Sequence, residues 1–522
     1  MKTTSHWRFV CRLHEILPWS GVAALVDGRQ VAVFRTADGV HALDNHDPMG
    51  GANVLSRGIV GDQKGELVVA SPLYKHHFSL ETGRCLEDAT VSVAVHRARV
   101  IDGAVYLGVE PDGRAGLRRR PKLVVVGNGM AGMRAVEELI ARAPGAWDIT
   151  VIGAENRGSY NRVLLSALLA GEKRIEEVLT HPASWYAANG VTLVAGDAVT
   201  SIDRARRVVR TAAGGEFSYD RLLLATGSMP RALAVPGNDL PGVVGFRDLD
   251  DVDAMVALAG KGRPAVVIGG GLLGLEAAHG LLQRGMDVTV VHRSSTLMNR
   301  QLDREGADCL RRTLEARGLR FRLSAKTVAV LGTSCVEAVR LEDGTELAAD
   351  LVVMAVGIRP NVELAQAAGL RCDRGILVSD TLQTFDPRVY AVGECVQHRD
   401  RTFGLVAPLW DQARVCADHL AGIGIGRYEG ASTSTRLKVS GVDVFSAGDL
   451  SGGPGTESLV LSDPRRGVYK RVVLRDHKVR GAVLCGDVTD VAWYCDLLRD
   501  GRDVSSFRDS LLFGPTPAEA PR

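Results

Sequence analysis

Two short glycine-rich runs carry most of the chemistry this chain could perform: LVVVGNGMAG from Leu123 to Gly132, and VVIGGGLLG from Val266 to Gly274. Each is an apolar strand pattern feeding G-x-G-x-x-G and then a helical stretch, the context that gives this spacing its meaning. In the first run Gly127 permits the tight turn, Gly129 leaves room for a pyrophosphate, and Gly132 lets helix and strand pack closely, with Asn128 in the same loop. In the second run Gly269, Gly271 and Gly274 repeat the arrangement, and Leu272 and Leu273 present backbone amides. Free N–H groups at each helix N-terminus would face phosphate oxygens. Two dinucleotide sites on one chain suggest a flavoprotein reductase, with FAD in one site and NADH or NADPH brought to it by the other.

The residues that follow each run refine this reading. The strand DITVIGAE ends at Glu155, where a carboxylate can accept both hydroxyls of the adenosine ribose. The equivalent strand of the second run, DVTVV, ends at His292-Arg293 with no acid. An acid there grips the ribose 2′-hydroxyl, whereas an arginine accommodates a 2′-phosphate. Arg293 is therefore read either as an NADPH determinant or as a residue stacking on adenine, and the choice between NADH and NADPH stays open. Hydride passes between stacked rings by distance and orientation, so no proton-transferring catalytic residue is expected.

These motifs need a frame of strands and helices to hold them. A chain of 522 residues is too long for one core and suggests three or four domains. Residues 1–112 show short alternating β patterns with turn signals and read as an all-β module; 113–121, rich in Pro, Gly and Arg, reads as a linker. From Lys122 strands alternate with helices, as in doubly wound α/β layers. The expected division is an FAD domain over 122–255 and 339–425, an inserted NAD(P) domain over 256–338, a small α+β domain over 426–513 and a tail over 514–522.

Composition narrows the partners. Lys plus Arg number 63 against 61 acids, a net charge of +2, and no basic patch interleaves with aromatics, so nucleic acid is not an expected partner. No long apolar run or secretion leader is evident, which predicts a soluble cytoplasmic protein without a membrane contact. Nine cysteines lie scattered without C-x-x-C or C-x-x-H and read as buried thiols. No dithiol relay is expected, and Cys395 reads as packing.

Two further segments complete a resemblance. YDRLLLATGSMPR places Thr226-Gly227 at a strand end, and VYAVGEC places Gly393-Glu394 at another. Together with both fingerprints, about 300 residues resemble the flavoproteins with two dinucleotide-binding domains. The resemblance implies that Thr226 and Gly227 run past the flavin and that Glu394, in place of the usual Asp, bonds the ribityl chain; read without it, Glu394 is a solvated loop acid. YNRVLLS resembles the flavin-lining segment of the nitrite and rubredoxin reductase branch, which implies cofactor contacts for Asn161 and Arg162. The plain alternative for these two is an ordinary helix start. GLVAPLWDQA, with Pro408, resembles the helix aimed at the flavin pyrimidine, where its positive end would stabilise an anionic reduced flavin. AVGIRPN implies a place for Gly357 near the nicotinamide, and Ala198 and Val199 are counted with the cofactor contacts.

The first 110 residues resemble a Rieske domain, most closely the small subunit of bacterial NAD(P)H-dependent nitrite reductase, through VLSRGIVGD and GELVVASPLYKHHFSLETGRCLED. A Rieske cluster needs two thiolates and two imidazoles. Here the loops read Asp47-Pro48-Met49-Gly50 and Ser71-Pro72-Leu73-Tyr74, so no iron–sulfur cluster is expected, and His46, His76 and His77 read as surface or turn residues rather than metal ligands. The remainder is similar to the front of the nitrite reductase large subunit, without its sirohaem part. The resemblance to that family and to assimilatory nitrate reductase electron-transfer subunits implies an FAD-dependent NAD(P)H reductase. Its electrons would pass to a separate nitrate reductase catalytic subunit or sirohaem nitrite reductase, and the chain could pair as a homodimer. A rubredoxin or ferredoxin reductase, and a flavin-binding redox sensor or scaffold, are the competing readings.

Overall fold

The computed structural model describes residues 6–63, 65–88, 90–109, 120–424, 426–430, 434–439 and 441–515. Most of the expected linker over 113–121 and of the tail over 514–522 lies outside the described residues. The chain divides into two compact units, 1–119 and 120–522.

The first unit is all β. Six antiparallel strands form one sheet in the order His6–Arg12, Ala104–Val109, Val95–Ile101, Val40–Asp44, Arg29–Arg35 and Ser20–Val26. A second sheet joins Ile59–Gln63, Glu66–Ala70 and His77–Ser79. Two hairpins close on Asp-Gly pairs, Asp27-Gly28 and Asp102-Gly103, with all four residues at positive φ. That is the turn whose twist matches paired strands. Alternation along Arg29–Arg35 sends Ala32 and Phe34 into one core and Val31 and Val33 into another, so this strand is buried on both faces.

The second unit contains two parallel five-stranded sheets. The flavin-side sheet runs Val191–Ala195, Asp148–Gly153, Lys122–Val126, Arg221–Leu224 and Val389–Ala391. Its strands are near-continuous Val, Leu and Ile, as burial on both faces requires. The nicotinamide-side sheet runs Val243–Val244, Leu351–Met354, Pro264–Ile268, Asp287–Val291 and Arg320–Arg322.

This second sheet corrects the expected boundary. Val243–Val244 and Leu351–Met354 lie outside 256–338, yet both belong to the nicotinamide-side sheet, because Leu351–Met354 pairs with the central strand Pro264–Ile268 on one side and with Val243–Val244 on the other. The helix Leu249–Leu258 packs in the same core through Leu249, Val252 and Met255. The two passages between the sheets meet as a small antiparallel ribbon, Ser228–Pro230 against Ile358–Pro360.

A third sheet, Ser434–Val439, Val442–Gly448, Lys478–Cys485, Val468–Arg475 and Thr456–Asp463, is covered by the helix Val491–Asp500 through Trp493, Tyr494 and Leu497. It seats on the nicotinamide-side core through Val442, Val444, Tyr469 and Val483, with the Tyr469 hydroxyl donating to Asp303 Oδ2 at 2.6 Å. No helix among the described residues is long and apolar enough to cross a membrane.

Candidate functional site

Both glycine fingerprints fold as strand, turn and helix: Lys122–Val126 into Met130–Arg142, and Pro264–Ile268 into Leu272–Gln283. Gly127 and Gly269 sit at φ +110° and +129°, and a Cβ at either would stand 2.2 Å from a carbonyl oxygen, of Ala225 or Ala355. Gly129 and Gly271 cap the helices with nothing within 4 Å of a Cβ, so each turn keeps an open approach to its helix N-terminus. Gly132 and Gly274 close the helix-to-strand contact, where a Cβ would lie 2.8 Å and 2.0 Å from the oxygens of Gly127 and Gly269. Both turns line one cavity of about 1820 Å3. The N-termini of both fingerprint helices are thus among its lining, where free N–H groups suit the phosphates of a dinucleotide.

On the flavin side Glu155 lines this cavity and already holds two partners: Tyr160 donates its hydroxyl to Oε2 at 2.7 Å, and Arg162 donates to Oε1. A carboxylate has about four lone-pair sites, so capacity for ribose hydroxyls remains. Burial pushes the Tyr160 phenol well above its usual range. Arg162 also donates to the Arg247 carbonyl at 2.8 Å, and the Arg247 guanidinium donates to Glu394. Glu394 further accepts from Ser228 Oγ at 2.8 Å. A continuous chain of hydrogen bonds thus spans the flavin side from Glu155 to Glu394.

The remaining flavin-side expectations divide. Thr226, Gly227 and Asn128 line the cavity. Thr226 Oγ1 donates to the Asn361 carbonyl at 2.7 Å, and Asn128 accepts from the Tyr186 hydroxyl at 2.7 Å. Asn161, Ala198, Val199 and Pro408 are not among the lining residues. Asn161 spends its Oδ1 on the Val163 N–H at 3.0 Å as a helix cap. Ala198 and Val199 begin an antiparallel side sheet, where the Ala198 carbonyl accepts from Ala212 N at 2.9 Å. In the helix Val406–Leu420 the cavity is met by Leu405, Val406 and Ala407 ahead of Pro408. Glu394 itself is positioned by Gln412, a fully buried residue of this helix whose Oε1 accepts from Gly393 N at 2.8 Å.

On the nicotinamide side Leu272, Leu273, His292, Arg293 and Gly357 line the cavity. His292 does more than face a ligand: its Nδ1 accepts the Gly270 N–H at 3.0 Å and so props the glycine turn. Glu276, one turn into the fingerprint helix, also lines the cavity, and burial raises its carboxyl to about 8. His279, three residues on, has a buried Nδ1 without a hydrogen bond, and burial lowers its imidazole below the ordinary value. Sequence reading passed over Tyr160, Ser228, Arg247, Glu276 and Gln412. Of these, Ser228 directly follows the Ala-Thr-Gly turn, Glu276 follows the last fingerprint glycine by two, and Tyr160 and Gln412 lie inside the quoted YNRVLLS and GLVAPLWDQA segments, so all four had a positional signal; Arg247 had none.

In the first unit the four positions where a Rieske centre would need ligands are Asp47, Met49, Ser71 and Tyr74, and they do not fit one. Ser71 Oγ donates to Asp47 Oδ2 at 2.5 Å, with both residues fully buried, and Asp47 Oδ1 accepts from Met49 N and Gly50 N at 2.8 Å and 3.1 Å. Met49 and Tyr74 are exposed. His77 is engaged by Glu87 and His46 by Asn53. Among the described residues no three His, Cys, Asp or Glu gather as a metal site.

The model of the pyridine nucleotide-disulphide oxidoreductase family matches residues 121–419, that of the Rieske-like [2Fe-2S] domain residues 6–108, and that of the rubredoxin NAD+ reductase C-terminal domain residues 434–502. Nitrite reductase [NAD(P)H] of Bacillus subtilis is 45% identical over 401 residues, 77% of this chain and 50% of the relative. The assimilatory nitrate reductase electron transfer subunit of the same organism is 41% identical over 394 residues, 76% and 51% respectively. The chain therefore spans about half the length of these curated relatives. Among solved structures, the covalent putidaredoxin reductase–putidaredoxin complex matches with a TM-score of 0.66 and 28% identity over 73% of this chain and 93% of that chain.

Proposed function

Because the chain belongs to the pyridine nucleotide-disulphide oxidoreductase family, we propose that it is an FAD-dependent NAD(P)H reductase supplying electrons to a separate redox protein of nitrate or nitrite assimilation. The observation that carries the reading is the opening of both glycine cradles into one cavity, with Thr226, Gly227, Gly357 and Glu394 among its lining residues. FAD, when bound, supplies hydride acceptance and one-electron release.

The chain's own residues bind and orient. Gly127 to Gly132 with the helix Met130–Arg142 would hold the FAD pyrophosphate, Glu155 the ribose and Glu394 the ribityl chain. Gly269 to Gly274 would hold the nicotinamide dinucleotide, and the N-terminus of Val406–Leu420 would place its partial positive charge toward the flavin. No side chain is assigned a proton.

The assimilation pathway is favoured by the two Bacillus subtilis relatives. In this reading the Rieske-like unit works without a cluster, and its exposed Met49, Leu73 and Tyr74 form part of the partner-facing surface. In the same reading the protein works in the cytoplasm. A second reading, a reductase for rubredoxin or a related iron–sulfur carrier, is favoured by the family match over residues 434–502.

The test is anaerobic absorbance of the FAD-loaded protein reduced with NADH or NADPH, then mixed with nitrate reductase catalytic subunit and nitrate. Flavin bleaching followed by reoxidation and nitrite formation is expected. Reoxidation by rubredoxin instead would move the assignment to the second reading, and no bleaching by either nicotinamide would overturn both.

A further inference from the structure

We infer that the second cradle is built for a 2′-phosphorylated adenosine, so that NADPH rather than NADH is the preferred donor. The inference rests on the reading of that cradle as the nicotinamide site. Along the stretch from the end of the strand Asp287–Val291 to Thr327, the charged side chains lining the cavity are Arg293, Arg300 and Lys326, with no carboxylate among the lining residues there. An adenosine ribose that keeps its 2′-hydroxyl is held best by an acid, which the stretch lacks. A 2′-phosphate brings close to two negative charges and several acceptor oxygens, which match guanidinium forks.

The two arginines are available for such a ligand. Arg293 and Arg300 are exposed, and neither makes a hydrogen bond or ion pair among the described residues. Lys326 is engaged by Glu342 at 2.6 Å, so it contributes field at the rim more than a free donor. Ser294, between the arginines, adds a hydroxyl to the lining.

The loop that carries them is fixed to the phosphate cradle rather than free. Met298 N donates to the Gly270 carbonyl at 2.9 Å, with Met298 and Leu297 buried beneath and Met298 held at φ +46°. His292 props the same glycine turn from the other end of the loop through its Nδ1. The turn that would cradle the pyrophosphate and the segment bearing both arginines are therefore one built piece. Ligand selection by Arg293 and Arg300 comes with that geometry and needs no rearrangement of the core.

Calorimetric titration of the full FAD-loaded chain with 2′,5′-ADP, 5′-AMP, NADP+ and NAD+ tests this without turnover. The 2′-phosphorylated ligands should bind about tenfold or more tightly, the value of one charge-assisted contact, and the preference should shrink as salt is raised. Arg293→Ala with Arg300→Ala should bring the ratio of 2′,5′-ADP to 5′-AMP affinity to within about twofold of unity, because the extra phosphate loses its cationic partners. Arg293→Lys alone should retain part of it. Equal or tighter binding of NAD+ and 5′-AMP, or a preference for NADP+ that survives the double variant, would overturn the inference and leave the reductase reading intact. Binding of none of the four would overturn both.

Discussion

The Arg247 guanidinium donates to Oε2 of Glu394, an oxygen that also accepts from Ser228 Oγ at 2.8 Å. The two residues are 147 positions apart and both largely buried, so the pair fixes the carboxylate at the end of its strand against the first strand of the ribbon between the sheets. Arg247→Ala leaves a buried carboxylate short of its main counter-charge. FAD affinity should fall about 10- to 100-fold, the scale of a charged hydrogen bond, measured as cofactor fluorescence in dialysis.

Gly129→Val should separate cofactor loss from misfolding. The space a Cβ would enter meets no protein atom within 4 Å, so the apoprotein should melt within a few degrees of the parent while flavin content drops below detection. Gly132→Val at the same turn should instead lower stability, because a Cβ there meets Gly127 O at 2.8 Å and Ala225 Cβ at 2.9 Å.

Glu276 gives a pH dependence. Burial raises its carboxyl to about 8, so it faces the second cradle uncharged at neutral pH and gains a negative charge as pH rises through that value. KM for the nicotinamide should rise above pH 8, and Glu276→Gln should flatten that rise. The same shift bears on folding: the unfolded chain releases the proton near 4.5 and the native chain near 8, so native stability should fall with pH across that window.

Ser71→Ala removes the donor that closes two loops of the first unit and leaves Asp47 with backbone partners only. That unit should lose about 1–3 kcal/mol, the cost of a buried acceptor left short of a donor, read as an earlier thermal transition. Iron and labile sulfide should be absent from the purified parent and variant alike.

Deleting residues 1–112 should leave NAD(P)H-to-dye activity and impair reduction of the natural acceptor. Equal loss of both, in parallel steady-state assays, would assign the first unit to support of the flavin fold.

The fingerprints were legible because glycine spacing encodes local backbone geometry, and the structure returns the same geometry twice. The extent of the second nucleotide domain was not. Leu351–Met354 is an apolar run that would suit either sheet, and only its pairing with Pro264–Ile268 decides between them. The same limit hid the Arg247–Glu394 pair and the meeting of Asp47 with Ser71, each a contact between distant segments. The cysteines are a further case. No spacing links Cys309 and Cys485, yet the two pack into one core between helix Arg304–Ala316 and strand Lys478–Cys485, where the neighbouring thiol and burial hold Cys485 above the ordinary thiol range. Asn161 illustrates the two readings a motif position allows: its Oδ1 caps the local turn, the ordinary helix start that the spacing also offered.

The ribbon of Ser228–Pro230 with Ile358–Pro360 has a mechanical consequence. The nicotinamide-side sheet is joined to the flavin-side sheet by two passages that are hydrogen-bonded to each other, and Thr226 and Asn361 are stitched together beside them. An opening that admitted a dinucleotide would have to carry both passages together, since neither can shift alone without breaking the hydrogen bonds that pair it to the other.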